Sequence, residues 1–390
     1  MPVEQDLKAI LINKFRAVYG VEPEIVAYAP GRVEILGNHT DYNEGYVFST
    51  AINFGTYFAV AGRTDGVTRV TAGDVMETVE FIVSSPEPSR MHAWSNYVKG
   101  VQAGINALTP IDKGVDAMFL GNIPLGAGLS SSAALEISAG LALSKHYGVA
   151  IDRLGLAKIG QQAEHRFAGV NCGIMDQVSS LFGQKDALVL SDFRTLDVQT
   201  VPLEACLCFL ICNTSVKHAL VDGAYNERRE GCERATRHFA AVLEHPVKAL
   251  RDVTWAEWKA HKGGLDDVAA RRAAHIIGEN ERVLSGADLL RNKDFEGFGR
   301  LMFESHDSSR RFFENSCPEL DALVDAAQAI PGVLGARLTG GGFGGSVVVL
   351  ARADDVEEIG TALRSVYARK FGARCDTRVI TCSEGAKVVG

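Results

Sequence analysis

The sequence lacks the features that mark membrane-spanning and secreted proteins. No apolar run approaches the roughly 20 residues of a membrane-spanning helix, and runs such as 206–212 and 347–351 have the length of strands. Residues 1–15 carry Glu4, Asp6 and Lys8 among their apolar positions, which interrupts the apolar core that a signal peptide needs. We therefore expect a cytoplasmic protein that has no membrane partner.

The sequence also lacks an excess of positive charge, and its cysteines are not arranged in pairs. Lys and Arg number 40 against 48 Asp and Glu, and the net charge of −8 argues against a nucleic-acid partner and favours a small-molecule substrate. The eight cysteines form no Cys-x-x-Cys pair, and Cys206, Cys208 and Cys212 have no His partner. We interpret these three residues as small buried side chains rather than as metal ligands or a disulfide framework.

Internal repeats, low-complexity tracts and long linkers are missing, although 390 residues are many for one hydrophobic core. We predict two domains, residues 1–205 and 206–390, with the boundary beside a predicted strand. Apolar periodicity predicts helices at 4–19, after Trp94, at 133–146 and 151–168, from 217 onward and over most of 244–330. Strands are predicted at 24–28, 47–61, 115–120, 187–190, 204–212 and 347–350, with an exposed hairpin over 64–90.

The most informative stretch is glycine- and serine-rich and spans residues 122–135, between a predicted strand and a predicted helix. Gly126 and Gly128 permit unusual backbone angles and close approach of a ligand, and Ser130–Ser132 fall at the expected helix N-cap and first turn. A helix start attracts anions, so the stretch is either a phosphate cradle or a plain cap. It lacks the Gly-Lys-Ser/Thr of a P-loop, the third glycine of a dinucleotide fingerprint and the closing glycine of a nucleophile elbow.

Further polar segments leave two interpretations open. Residues 29–45 concentrate Arg, Glu, Asn, His and Asp on a predicted loop, which indicates either a functional site or a solvated turn. Trp94 would cover an adenine base or simply pack at a rim, and Asp176 would do chemistry near phosphate or cap a helix. Five glycines among residues 340–345 indicate close backbone approach, either to a ligand or to the first glycine-rich stretch.

Three segments taken together resemble the GHMP kinase superfamily and, within it, the galactokinases. They are residues 31–43, 124–134 and 339–345, and shorter similar stretches follow one another in the family's order along nearly the whole chain. The resemblance implies an α+β fold of two domains with the active site in the cleft between them. It also implies transfer of the γ-phosphoryl group of ATP to the anomeric hydroxyl of galactose, with Mg²⁺ as cofactor and sugar and ATP as the only partners of a monomer.

The resemblance also implies a role for each matching residue. Asp176 is the expected base or orienting acceptor, Arg32 is its charged partner, and Ser132 and Glu164 are the expected magnesium ligands. The expected sugar contacts are Asn38, His39, Thr40, Asp41, Gly173 and Tyr225. The expected ATP contacts are Gly126, Ala127, Gly128, Leu129, Ser130, Ser131 and Ser132, with Trp94 at the base.

One departure from the family pattern affects the sugar site. Galactokinases usually carry Asn at the position of Glu34 and Glu at the position of Asn38, so the two residues are exchanged here. Either the same two groups bond each other in reversed order, or the pocket accepts another sugar such as galactosamine or galacturonate. A sugar sensor without turnover is a further alternative. A kinase for mevalonate or homoserine fits less well, because residues 39–42 match the sugar motif.

Overall fold

The computed structural model describes residues 6–124, 126–217 and 221–390. Leu125 of the glycine-rich stretch and residues 218–220, at the predicted start of a long helix, lie outside the described residues. The helices are α1 (Leu7–Tyr19), α2 (Ser95–Leu108), α3 (Ser131–Tyr147), α4 (Arg153–Ala163), α5 (Met175–Phe182), α6 (Val221–Val242), α7 (Trp255–His261), α8 (Asp267–Arg291), α9 (Phe295–Ser308), α10 (Pro318–Gln328) and α11 (Val356–Phe371). The strands are β1 (Ile25–Leu36), β2 (Tyr46–Gly62), β3 (Val67–Ala72), β4 (Glu77–Ile82), β5 (Val115–Gly121), β6 (Ala187–Asp192), β7 (Asp197–Pro202), β8 (Leu207–Lys217), β9 (Val333–Thr339), β10 (Gly344–Arg352), β11 (Asp376–Ile380) and β12 (Lys387–Val388).

A mixed sheet forms the first half of the molecule. Its strand order is β12-β1-β2-β5-β3-β4, and β6 pairs with β2 and β7. The β3–β5 pair is parallel, and the other strand pairs described in this sheet are antiparallel. The sheet packs against α3, and α2, α4 and α5 pack around that helix. The last strand, β12, pairs with β1, so the C-terminal residues return to the sheet in which the chain began.

Strand β1 is longer than the sequence pattern predicted. The strand was expected to end at residue 28 and to be followed by a polar loop, whereas it continues to Leu36 and pairs with β2 throughout. That expectation was wrong because Arg32 and Glu34 are polar yet buried, while Val33 and Ile35, which alternate with them, enter the core. Register shifts at Pro30/Arg32 and Glu34/Leu36 mark irregular pairing, a feature of strands that carry functional side chains.

A second, antiparallel sheet has the order β11-β8-β10-β9 and packs against α10 and α11. Phe209 and Val348 of this sheet share one hydrophobic cluster with Val33 and Ile35 of β1. Cys212 is buried as predicted, but Cys208 is half-buried and Cys206 is exposed, because Cys206 precedes β8 on a turn. The division into domains at residue 205 stays a prediction. In the described part of the chain, no helix combines the length and apolarity needed to cross a bilayer.

Candidate active site

A polar cavity of about 140 Å³ collects most of the predicted sugar and catalytic residues. Its walls include Arg32, Asn38, His39, Asp41, Gly173, Asp176 and Tyr225, which come from β1, the turn after it, the start of α5 and α6. Sequence reasoning missed Val170, Cys172 and Met175 in this wall. These are ordinary apolar or weakly polar side chains, and only their closeness to Gly173 and Asp176 in the sequence could have indicated them.

Arg32 and Asp176 form the charged centre of the cavity. The Arg32 Nε and Nη2 atoms donate to the two carboxylate oxygens of Asp176, each at 2.7 Å, which is the bidentate geometry that a guanidinium favours. Arg32 Nη1 donates to the carbonyl oxygen of Gly128 at 2.6 Å. Asp176 lies in the first turn of α5, where the helix dipole also stabilises a negative charge. One arginine therefore joins the acid to the glycine-rich stretch.

Ser130 is turned toward this acid and does not cap its own helix. Its φ of 57° is left-handed, its side chain makes no cap hydrogen bond, and its hydroxyl donates to Asp176. The predicted position of Ser130 at the helix N-cap is confirmed, because α3 begins at Ser131, but the Ser130 side chain makes no cap hydrogen bond. A serine at the start of a helix usually caps it, and the competing carboxylate came from α5, which the local sequence does not reveal.

The two glycine-rich stretches meet each other. A Cβ placed on Gly340 would lie 3.4 Å from the carbonyl oxygen of Gly128, and Ser346 Oγ donates to the carbonyl oxygen of Ala127 at 2.7 Å. Gly128 and Gly340 have φ angles of 72° and 75°, which residues with a Cβ adopt at a cost. Of the two open interpretations, approach between the stretches is observed, and Gly340 also lines the cavity.

Asp41 packs against Gly173 at the floor of the cavity. A Cβ on Gly173 would lie 1.6 Å from Asp41 Oδ2, so only glycine fits at this position. Burial, followed by the charge of Asp176, raises the pKa of Asp41 to about 7. The cavity therefore holds, in addition to Asp176, the carboxyl group of Asp41, which exchanges a proton near neutral pH.

His39 and Tyr225 form an aromatic wall opposite the acids. The His39 ring lies 5.1 Å from the Tyr225 ring and 4.5 Å from the Phe313 ring, and its Nδ1 lies 2.9 Å from the Tyr42 hydroxyl. Burial lowers the pKa of His39 to about 3, so the imidazole is neutral at pH 7. A neutral aromatic wall beside carboxylates suits the apolar face and the hydroxyl edge of a hexose.

Thr40 does not line the cavity. Its side chain is fully buried, and its hydroxyl approaches the carbonyl oxygens of Gly37 at 2.8 Å and of Tyr46 at 2.6 Å. The expected contact between Thr40 and the sugar therefore disagrees with this placement. The Thr40 hydroxyl instead closes the turn between β1 and β2. The sequence motif alone does not show whether a residue has such a structural role or contacts a ligand.

The exchanged residues Glu34 and Asn38 bond each other. Asn38 Nδ2 donates to Glu34 Oε1 at 2.9 Å and to the carbonyl oxygen of Gly340 at 2.8 Å, while Asn38 Oδ1 accepts from Asn315 Nδ2 at 2.9 Å. Arg337 Nη2 lies 2.9 Å from the same Glu34 oxygen. This geometry favours the interpretation in which the pair is preserved in reversed order. Both residues still line the cavity.

Ser132 and Glu164, the expected magnesium ligands, are brought together. The Ser132 hydroxyl shares a hydrogen bond with the Glu164 carboxyl, which is almost fully buried. Burial, followed by the charge of Asp176, raises the pKa of Glu164 to about 7, although the bond with Ser132 opposes this shift. Within the described ranges, no cluster of three or more His, Cys, Asp or Glu side chains is arranged for a metal ion. One carboxylate and one hydroxyl suit Mg²⁺ that takes its remaining ligands from phosphate and water.

A second cavity, of about 430 Å³, adjoins the start of α3. It is lined by Ser131, Ser132 and Trp94, together with Tyr97, Phe119 and Leu135. The Trp94 Nε1 donates to Glu77 at 2.5 Å, and its ring lies 5.4 Å from that of Phe119. This cavity has an aromatic, largely apolar lining at one side and serine hydroxyls at the other, which suits a nucleotide base and its phosphates.

Ala127 and Leu129 contribute differently from their neighbours in the glycine-rich stretch. Their side chains are buried in the hydrophobic core that the two sheets share. The Leu129 carbonyl oxygen accepts from the Arg32 N–H at 3.2 Å. Only the backbone of these two residues is therefore available to a ligand, whereas Gly126, at a φ of 71°, has no side chain to obstruct one.

Three family models match the chain. The model described as the galactokinase galactose-binding signature matches residues 13–62, that of the GHMP kinase N-terminal domain matches 96–184, and that of the GHMP kinase C-terminal domain matches 287–369. The solved Methanococcus jannaschii mevalonate kinase superposes with a TM-score of 0.65 at 18% identity and covers 92% of this chain and 98% of its own. At that identity the likeness shows the fold alone.

Named galactokinases are more similar. That of Haemophilus influenzae Rd is 41% identical over 94% of this chain and 95% of its own length, and that of Actinobacillus pleuropneumoniae serotype 3 is 42% identical over 97% and 98%. The crystal structure of Lactococcus lactis galactokinase complexed with galactose gives a TM-score of 0.92 at 33% identity, over 97% of this chain and 99% of that one. The chain therefore belongs to the galactokinase family of the GHMP kinase superfamily.

Proposed function

We propose that this chain transfers the γ-phosphoryl group of ATP to the anomeric hydroxyl of galactose and releases galactose 1-phosphate and ADP. The observation that carries the proposal is the Arg32 guanidinium, which bonds both oxygens of Asp176 and the Gly128 carbonyl oxygen. It joins an acid in the sugar cavity to the stretch expected to hold the triphosphate. Galactokinases at 41% and 42% identity over nearly the whole chain support the same activity.

Phosphoryl transfer depends on alignment and on neutralising charge more than on covalent chemistry. Asp176 accepts a hydrogen bond from the anomeric hydroxyl and so orients the hydroxyl oxygen toward the γ-phosphorus. It takes the hydroxyl proton as the bond between that oxygen and the phosphorus forms. The Arg32 guanidinium offsets negative charge on the reacting oxygens. In a loose transition state little bonding to the attacking oxygen has developed, so orientation precedes full deprotonation.

Ser132 and Glu164 are the proposed protein ligands of a magnesium ion that accompanies ATP. Such an ion supplies Lewis-acid stabilisation of charge on the phosphoryl oxygens. Its positive charge would also favour ionised Glu164, whose pKa burial otherwise raises to about 7. The Ser131 and Ser132 hydroxyls and the backbone of residues 126–130 face the phosphates, and Trp94 covers the base.

Galactose is the proposed acceptor because the Glu34–Asn38 pair remains bonded in its reversed order. The experiment is ADP release with ATP and a panel of galactose, glucose, galactosamine, N-acetylgalactosamine and galacturonate. We expect the highest kcat/KM with galactose. A preference for galactosamine or galacturonate would replace this sugar assignment, and binding of galactose without ADP release from any sugar would identify a sensor instead.

Asp176→Asn tests the role of the acid, because it keeps the size of the side chain and removes its charge. We expect kcat to fall by roughly a hundredfold or more, with ATP binding changed little. Asp288→Asn is the matched control, since Asp288 is 75% exposed on α8, and should leave turnover unchanged. Near-normal turnover of Asp176→Asn would refute the assignment.

We also propose that the enzyme acts as a monomer in the cytoplasm. The net charge of −8 and the absence of long apolar runs in the sequence support a freely soluble enzyme. Sedimentation equilibrium over a range of protein concentrations measures the assembly directly. A mass near 84 kDa, about twice the 41.9 kDa of one chain, would show a dimer and contradict this proposal.

A further inference from the structure

The turn after β1 presents Asn38 and His39 to the sugar cavity in a conformation that needs support. Gly37 has a φ of 98°, and His39 has a φ of 61° although it carries a Cβ. A left-handed backbone conformation is strained for a residue with a Cβ, so contacts from elsewhere must hold it. The Thr40 hydroxyl supplies one such contact from within the turn, by bonding the Gly37 carbonyl oxygen.

Helix α8, from the other half of the sequence, supplies further contacts to this turn. Glu279 Oε2 accepts from the backbone N–H groups of Gly37 and Asn38, each at 2.9 Å. His275 lies one helical turn earlier, on the same face of α8, and its Nε2 lies 3.1 Å from the Asn38 carbonyl oxygen. Glu279 therefore bonds the backbone N–H of Asn38, and His275 bonds its backbone C=O.

Each member of this pair is itself fixed by neighbours. Glu279 is fully buried, Arg282 Nε donates to its Oε1 at 2.6 Å, and Ser305 Oγ donates to its Oε2 at 3.0 Å. Although burial raises the pKa of Glu279, the charges of Arg282 and Arg337 and the hydrogen bond from the Asn38 N–H lower it overall, so the group is ionised. Burial lowers the pKa of His275 to about 3, so the ring is neutral. Its Nε2 carries the proton toward the Asn38 carbonyl, and its Nδ1 accepts from Ser308 Oγ at 2.8 Å.

We propose that His275 and Glu279 are positioning residues for the sugar site, and we call them the α8 clamp. Neither touches the cavity; they act by holding the backbone that carries Asn38 and His39. The inference rests on the proposed function, because it assigns the turn to sugar binding. Loss of the clamp should weaken galactose binding while leaving the ATP cavity, built from α3 and Trp94, unaffected.

Glu279→Gln tests the clamp because it keeps the shape and removes the charge. The amide NH₂ of the new Gln would also face the Arg282 Nε–H, so two donors would meet where a donor and an acceptor meet now. We expect the KM for galactose to rise about tenfold, since bonds to a charged acceptor are replaced by weaker ones, while kcat and the KM for ATP change less than about threefold. Glu281→Gln, an exposed neighbour on the same helix, is the matched control and should match wild type in all three.

His275 supplies an independent arm with a conservative rescue. His275→Ala removes the donor to Asn38 and should raise the KM for galactose about fivefold, and His275→Gln, which restores an N–H donor, should recover part of that loss. Should Glu279→Gln not fold, the His275 variants carry the test. Galactose KM values unchanged in folded variants, or equal losses in the KM for ATP, would overturn the clamp. Wild-type protein that neither binds galactose in calorimetry nor releases ADP would instead overturn the proposed function.

Discussion

At the scale of single residues, the site combines carboxyl groups whose surroundings differ. Asp176 is held by a guanidinium and a serine hydroxyl, whereas Asp41 meets Gly173 and the charge of Asp176. Burial and that charge raise the pKa of Asp41 to about 7, well above the usual value near 4. The two acids therefore differ in their hydrogen-bond partners and surroundings, which is consistent with the different roles proposed for them.

The raised pKa of Asp41 makes a prediction about stability. The folded state retains the Asp41 proton up to about pH 7, whereas the unfolded chain loses it near pH 4, so this group stabilises the fold at low pH and loses that contribution as pH rises through 7. Because one pKa unit corresponds to about 1.36 kcal/mol, a pKa near 7 instead of near 4 means that the stability of Asp41→Asn relative to wild type should rise by about 4 kcal/mol between pH 4 and pH 8. Urea unfolding of the ligand-free protein at several pH values measures this difference, and a difference that does not vary with pH would contradict it.

At the scale of elements, the long periodic segments were predictable and the short irregular ones were not. The helix predicted at 133–146 is present as α3, and the strand predicted at 47–61 is present as β2. Strands β7 and β9 and helix α11 were not predicted. In β1, the charged residues Arg32 and Glu34 led to the prediction of an exposed loop. Their ion-pair partners, Asp176 and Arg337, lie far away in the sequence, so the sequence pattern did not indicate that these charges are buried.

The site was predictable where a motif names residue types and unpredictable where partners come from other elements. The motif residues Arg32, Asp41 and Asp176 line one cavity, and their roles in it stay predictions. The motifs could not show that the Thr40 hydroxyl bonds backbone, or that Glu279 on α8 holds the turn. Both facts depend on tertiary packing, which local sequence patterns do not reveal.

The contact between the turn after β1 and the start of α5 predicts an effect of Gly173→Ala. Because the new Cβ would lie 1.6 Å from Asp41 Oδ2, the residues must separate and the cavity must distort. We expect the KM for galactose to rise and stability to fall by about 1–3 kcal/mol, measured by steady-state kinetics and urea unfolding. Gly223→Ala in α6, where a Cβ meets no atom within 4 Å, is the control and should be neutral or slightly stabilising. Equal behaviour of the two variants would refute the packing argument.

At the scale of the whole molecule, both halves of the sequence contribute to the proposed sugar site. The first sheet supplies β1 and the turn after it, and the second half supplies Tyr225, the α8 clamp and the second glycine-rich stretch. A buried ion pair between Glu34 of β1 and Arg337 of β9 joins the two sheets, and the side chains are 3% and 0% exposed. The site therefore depends on the relative placement of the sheets as well as on its own residues.

This ion pair allows the coupling between the sheets to be measured. Arg337→Met leaves Glu34 buried without its main cation, and we expect a loss of about 3–5 kcal/mol in the free energy of unfolding. Adding Glu34→Gln removes the stranded charge and should recover a substantial part of that loss, so the double variant is more stable than Arg337→Met alone. Arg291→Met breaks an exposed pair with Asp288 and should cost less than about 1 kcal/mol. If Arg337→Met unfolds at the same denaturant concentration as Arg291→Met, the Glu34–Arg337 pair does not hold the sheets together. Removing one partner of a buried ion pair should destabilise the fold more than removing one partner of a solvated pair.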